Sequence, residues 1–290
     1  MFSSAYEIAR KFTQPLIIAF RFYDGTVESG LGSFVVINDE GWIVTAAHNL
    51  EVSFAYTQHQ KELKEYEEKI EKINQNNSLK ASQKASMIKK LKPNGKWITD
   101  FMIWFGCDGV VTQESYIYGE NDVAFIRIDK NHLQGFSDFP KFRNPKDFKP
   151  GTSLCKLGFP FCPVNATFNL QSKQFEFPPT LLPVPMFPIE GIYTRNLNGG
   201  KTKDGKLDIE YLETSSPGLK GQSGGPIFDQ QGAVLAIQSK NVTIPLGFKG
   251  EVEVNKKKIE ENQFINVGIG VHGKTLTDLM KLHKIPYQVV

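Results

Sequence analysis

What constrains this chain most is a rhythm of short, β-prone apolar runs cut by turn-forming clusters. In the first half the runs are Leu16–Phe22, Gly32–Ile37, Trp42–Thr45, Trp97–Phe105, Val110–Tyr118 and Val123–Ile128. Asp24-Gly25, Asp39-Glu40-Gly41, Asp108-Gly109 and Gly119-Glu120-Asn121 separate them, residues that accept tight turns between residues that favour extended backbone. The second half repeats the pattern with Ser153–Leu157, Ile189–Arg195, Lys206–Glu213, Pro226–Phe228, Ala233–Ser239 and Phe264–Gly270. Six short strands per half, with few helical periods, predict an all-β chain of two antiparallel barrels or sandwiches. The Phe-, Pro- and Lys-rich stretch Asn131–Gly151 is the natural connection. Residues 136–152 then link a first unit, 1–135, to a second, 153–290.

Three segments break the rhythm. Residues 58–92 read as a helical hairpin, with Leu63, Tyr66, Ile70 and Ile73 in a heptad stripe on the first arm. Asn74–Asn77 makes its turn, and Ala81, Ala85, Ile88 and Leu91 face back from the second arm before Pro93 closes it. Residues 159–188, rich in Pro and Phe, read as an ordered surface loop inserted into the second unit. Residues 275–284 carry Leu276, Leu279, Met280 and Leu282, the spacing of a short C-terminal helix.

Composition narrows the class. With 290 residues, 40% hydrophobic and 22% charged, the chain can bury a full core and is neither disordered nor fibrous. A net charge of +3 is too mild to argue for nucleic acid. Cys107, Cys155 and Cys162 are an odd number without a CxxC pair, so free thiols are expected, with no disulfide scaffold and no metal site. The N-terminal apolar run Pro15–Phe20 is too short for a secretory signal, and no run approaches a membrane span, which together predict a cytoplasmic protein off the membrane.

Chemistry concentrates at three points. Gly221-Gln222-Ser223-Gly224-Gly225-Pro226 surrounds a serine with glycines that weaken any strand, as a nucleophile on a tight turn beside free N–H groups requires. Thr45-Ala46-Ala47-His48 ends an apolar strand with a histidine whose small neighbours allow close approach. Asn121-Asp122-Val123-Ala124-Phe125-Ile126 sets an acid at the head of another strand. Singly these read as a hairpin turn, a satisfied polar residue and a turn aspartate. Together, in the order His48, Asp122, Ser223, they form a nucleophile–base–orienter set.

With these motifs the chain resembles the trypsin-like serine proteases, and within them the HtrA-type branch. Gly32–Val36, Leu157-Gly158-Phe159-Pro160, Gly232–Ile237 and Val267–Val271 add to the likeness, which covers about residues 14–284 apart from the insertions. The resemblance implies two six-stranded antiparallel β-barrels with the site between them. It implies Ser223 as nucleophile, His48 as general base and acid, and Asp122 as its orienting partner. The Gly221 and Ser223 amides would form the oxyanion hole, with no metal or other cofactor. Pro217, Gln238, Ser239 and Gly268 would line the substrate cleft, with His272 beyond the Gly268 strand in reach of substrate.

Departures from the digestive enzymes shape the expectation further. Pro217 stands six residues before Ser223, where an aspartate would select Lys and Arg, so a non-tryptic, small or apolar P1 residue is expected. Gln222 replaces the aspartate that pairs with a newly cut N-terminus, which argues against activation by N-terminal cleavage. HtrA-type enzymes switch instead by ordering loops at the oxyanion hole. No PDZ-like segment follows the second unit. The expected partner is a protein or peptide substrate; a regulatory protein docking on the 58–92 hairpin would gate the activity. A catalytically silent binding module using the hairpin and the Phe-rich loop is the alternative. Lys256-Lys257-Lys258 reads as a solvated hairpin tip.

Overall fold

The structure, a computed structural model, describes residues 2–254 and 257–290. It opens with a helix, α1 (Ser3–Ala9), that the strand rhythm did not predict; Ala5 and Ala9 are buried, and the Phe2 ring meets Phe228 edge-on. Then come β1 (Thr13–Phe22), β2 (Val27–Val36) and β3 (Trp42–Thr45). The hairpin helices α2 (Glu51–Gln75) and α3 (Ala81–Lys90) precede β4 (Ile98–Phe105), β5 (Thr112–Tyr118) and β6 (Val123–Ile128). These six strands form one antiparallel sheet in the order β4-β1-β2-β3-β6-β5, every strand close to its expected place. The sheet curls, but its ends β4 and β5 do not pair, so this barrel is a half-barrel without a closing ladder.

The second sheet contains β7 (Lys141–Phe142), β8 (Ser153–Gly158), β11 (Phe187–Lys201), β12 (Asp208–Thr214), β13 (Pro226–Phe228), β14 (Val234–Val254) and β15 (Lys257–His272). Helix α4 (Gly273–Leu282) and β16 (Gln288–Val289) end the chain. The order β13-β8-β11-β12-β15-β14, with β14 pairing back onto β13, closes a six-stranded antiparallel ring. Outside it, β7 runs parallel to β14 and to β16, so the stretch expected as a linker is stitched to the sheet, with Phe142 fully buried. Part of the lysine run at 256–258 lies outside the described residues.

The apolar runs are continuous because the strands are buried on both faces. In β6, Ala124 and Ile126 point into the first sheet's own core with Leu16, Phe34 and Ile43. Val123 and Phe125 point the other way, into a cluster shared with Leu157, Phe228, Ile237 and Val271 of the second sheet. A third cluster, Leu154, Tyr193, Leu212, Ile227 and Leu235, fills the closed ring.

The insertions differ from expectation in what they pack against. Helix α2 starts at Glu51, seven residues before the expected boundary, and its first half lies on β4. Leu63 is buried, Tyr66 meets Trp97 and Tyr23, and the Trp97 indole donates to Glu62 at 2.6 Å. The stripe thus divides between sheet and hairpin. On α3 no residue is buried, and Ala81 and Ala85 are exposed rather than turned to α2. Within residues 159–188 the strands β9 (Thr167–Asn169) and β10 (Gln174–Glu176) form a small hairpin. Val164 and Leu181 pack with Ile17 on the first sheet, so this loop is a strap across it. No helix among the described residues is long and apolar enough to cross a membrane.

Candidate active site

The register of β3 with β6 brings two of the three chemical residues together. Thr45 faces Ala124, so His48, in a 3-10 turn just after β3, meets Asp122, just before β6. Asp122 sits at φ +53°, a left-handed conformation that aspartate tolerates better than most side chains. That turn aims its carboxylate at the imidazole. His48 Nδ1 lies 2.9 Å from both carboxylate oxygens, and the His48 backbone N–H donates to Oδ1 at 2.9 Å. The Ser239 hydroxyl donates to Oδ2 at 2.5 Å. Ser239, expected in the substrate cleft, therefore holds the acid.

Electrostatics follow this geometry. Burial alone would raise the Asp122 pKa, but the hydrogen bonds and charge of His48, with the Ser239 hydroxyl, outweigh it and hold the carboxyl below its usual range. The same bond from Asp122 lifts the His48 pKa above its ordinary value against the opposing effect of burial. The arrangement therefore favours an imidazolium beside a carboxylate.

The Ser223 loop reaches the site from the second sheet. Gly224, at φ +88°, approaches the first sheet so closely that an added Cβ would lie 2.0 Å from the Ser33 carbonyl oxygen. The motif's glycine is thus required by contact as well as by conformation. The Ser223 carbonyl accepts from the Ser33 N–H at 2.8 Å and from the Asn49 amide at 3.0 Å, while the Ser33 hydroxyl donates to the Gly221 carbonyl at 2.7 Å. Ser33 and Asn49 went unnoticed in the sequence. For Ser33 the available signal was a polar residue inside an apolar matching motif; Asn49, one residue past His48, carried none. The Ser223 hydroxyl donates to the Ser239 carbonyl at 3.3 Å. Among the described residues, the N–H groups of Gly221 and Ser223 have no protein acceptor.

The other expected site residues surround this loop. The Pro217 carbonyl accepts from Lys156 Nζ at 2.9 Å. Gln238 is buried, its amide donating to the carbonyls of Lys240 and Ile269. The Gly268 N–H donates to the Ser216 carbonyl. His272 lies elsewhere, buried under Phe148 as the N-cap of α4, where it accepts from the Lys274 N–H; it does not reach the cleft. On the far side of Gly221 an open pocket of about 510 Å³ is lined by Leu31, Phe159, Phe161, Val164 and Leu219. Phe161 stands on its rim, 76% exposed.

A family model for the trypsin-like peptidase domain matches residues 32–237, which include His48, Asp122 and Ser223. The chain belongs to the trypsin-like peptidase family. Solved structures similar to this peptidase include an AlgW variant, an HtrA-type protease with a decapeptide, at 12% identity and TM-score 0.51, covering 97% of this chain and 66% of that one. AlgW with a tripeptide gives 15% identity, TM-score 0.49, and 97% and 62% coverage. The active form of the Rv3671c protease from M. tuberculosis gives 13%, 0.49, and 99% and 86%. The peptidase thus spans 62% of that AlgW chain's length. No curated protein matches it.

Proposed function

We propose that the protein is a serine endopeptidase working through Ser223, His48 and Asp122, in the cleft between residues 1–135 and 153–290. The observation that carries this reading is the His48–Asp122 pair at 2.9 Å, next to Asn49, which holds the carbonyl of Ser223, with the Gly221 and Ser223 N–H groups free. Ser223 Oγ, turned from the Ser239 carbonyl toward His48, attacks the peptide carbonyl carbon as His48 Nε2 takes its proton. The carbonyl oxygen gains the charge and is held by the Gly221 and Ser223 amides, each worth about 3 kcal/mol in comparable sites. The C–N bond then breaks as His48 returns the proton to the amine. Water repeats the sequence on the acyl-enzyme, losing its proton to His48. Asp122 keeps Nδ1 protonated throughout.

The leaving side of the substrate lies along the Leu31–Phe159–Leu219 pocket, next to Gly221. The P1 residue is non-basic, because Pro217 supplies no carboxylate and a lysine lies behind it. The free state of Cys107, Cys155 and Cys162 supports a reducing, cytoplasmic setting. The outer arm α3, with no buried residue and several lysines, is the surface for a gating partner.

The resting Ser223–Ser239 bond gives the rival reading, a silent binding module, its one support. A fluorophosphonate probe separates them. The proposed enzyme is labelled, and Ser223→Ala and His48→Ala are not. Labelling that appears only with a partner present identifies the gated form. A folded chain that is never labelled leaves the binding module.

A further inference from the structure

Among the described residues Lys156 is the lysine with no solvent exposure. It comes from β8, whose other residues are apolar or small. Its Nζ donates to the carbonyls of Ser216 at 2.5 Å and Pro217 at 2.9 Å. A Cβ added to Gly268 would lie 2.5 Å from Nζ, so the ammonium fills the volume that glycine leaves open. No carboxylate among the described residues pairs with it, and its third N–H has no acceptor there. An ammonium buried without a counter-charge costs several kcal/mol, and burial draws its pKa down to about 7. Methionine or leucine would fill the same space without that cost.

The surroundings say what the missing charge is. Ser216–Leu219, whose first two carbonyls hold Lys156, meets Ser239–Asn241, whose Ser239 carbonyl accepts from Ser223. Gly268 lies opposite Asn241 in the β14–β15 register. The exposed Asn241 amide joins the two segments, accepting from the Gly218 N–H and donating to its carbonyl, both at 2.6 Å. The exposed Lys220 follows the first segment, and the exposed Lys240 lies within the second. The nearby carboxylates are engaged elsewhere, Asp122 with His48 and Glu213 with Arg195.

We propose that Lys156 is the specificity-determining residue of a slot between these two segments, which takes a glutamate or aspartate side chain on the acyl side of the scissile bond. The substrate carboxylate replaces the Asn241 bridge and supplies the counter-charge that the fold withholds. This replaces the expectation of a small or apolar P1 residue while keeping the non-tryptic one, and it rests on the reading of Ser223 as a peptidase nucleophile.

The test measures binding separately from hydrolysis. Two labelled peptides differing only in Glu or Gln at P1 are titrated by fluorescence anisotropy into the Ser223→Ala protein. The expected result is at least about tenfold tighter binding of the Glu peptide. That ratio falls to about one when Lys156→Met is added, with folding checked by thermal melt. Equal binding of the two peptides by Ser223→Ala, or a ratio that survives Lys156→Met in a folded protein, overturns the assignment; the first comparison needs no Lys156 variant. Probe labelling of the parent keeps the two readings apart. Labelling without a Glu preference removes the role of Lys156 alone. A Glu preference without labelling upholds the slot and removes the peptidase reading.

Discussion

At the scale of single residues, the His48–Asp122 pair sets a pH dependence. His48 must be neutral to accept the Ser223 proton, and Asp122 raises its pKa from the ordinary 6.5. Activity therefore rises with pH through a midpoint above 6.5 and fails on the acid side. Asp122→Asn should lower that midpoint and cut kcat by about 10⁴-fold, through loss of the correct tautomer. A kcat/KM profile on one peptide substrate, parent against variant, measures both effects. His272 predicts a different dependence, in stability. Burial draws its pKa from 6.5 to about 4, so the folded state stays neutral where the unfolded chain takes a proton. Stability is then lost as pH falls from about 6.5 toward 4, by up to about 3 kcal/mol. His272→Asn keeps an acceptor for the Lys274 N–H and should flatten this part of a urea-midpoint series.

At the scale of elements, the hairpin has two unequal halves. The first half of α2 covers β4, an edge strand with unpaired backbone groups. The Gln60 amide donates to the Ile98 carbonyl at 3.1 Å, and the Ile98 N–H donates to His59 Nδ1 at 3.0 Å. Leu63→Ala should therefore cost about 2 kcal/mol or more, as truncation of a buried leucine does. Ile73→Ala, on the half-exposed far end, should cost less than about 1 kcal/mol. Paired urea denaturations decide between this division and a hairpin that packs only on itself. The heptad stripe was legible in the sequence, but its partner was not, because periodicity gives a face and says nothing of what covers it.

At the scale of the whole molecule, the site depends on two sheets meeting through a few backbone bonds. Ser33 in β2 and Asn49 in the turn after β3 hold the carbonyl of Ser223, which lies in the loop before β13 of the second sheet. Asn49→Ala leaves that carbonyl one donor short and loosens the nucleophile against its base. A fall in kcat of about tenfold or more is expected, since small misplacements of reacting groups are costly. KM should change little, and the thermal midpoint should move by only a few degrees. Steady-state kinetics beside a thermal melt distinguishes this positioning role from general destabilisation, which would lower the midpoint more than kcat.

Local rules determined much of this protein from the sequence alone. Turn residues at fixed places and apolar runs of strand length marked twelve strands of the two main sheets, but not β7, β9, β10 and β16, because backbone preference acts over a few residues. The glycines around Ser223 and the alanines before His48 were visible for the same reason, since close approach leaves a mark on residue size. Tertiary structure decided the rest. It set the Ser239 hydroxyl on Asp122, buried His272 under Phe148 and left the first barrel without a closing ladder. Lys156 is the clearest case. In sequence it is one lysine inside an apolar strand; only the approach of Ser216, Pro217 and Gly268 from distant parts of the chain makes it a buried charge. Such meetings depend on how strands far apart in sequence are stacked, and no local pattern encodes that.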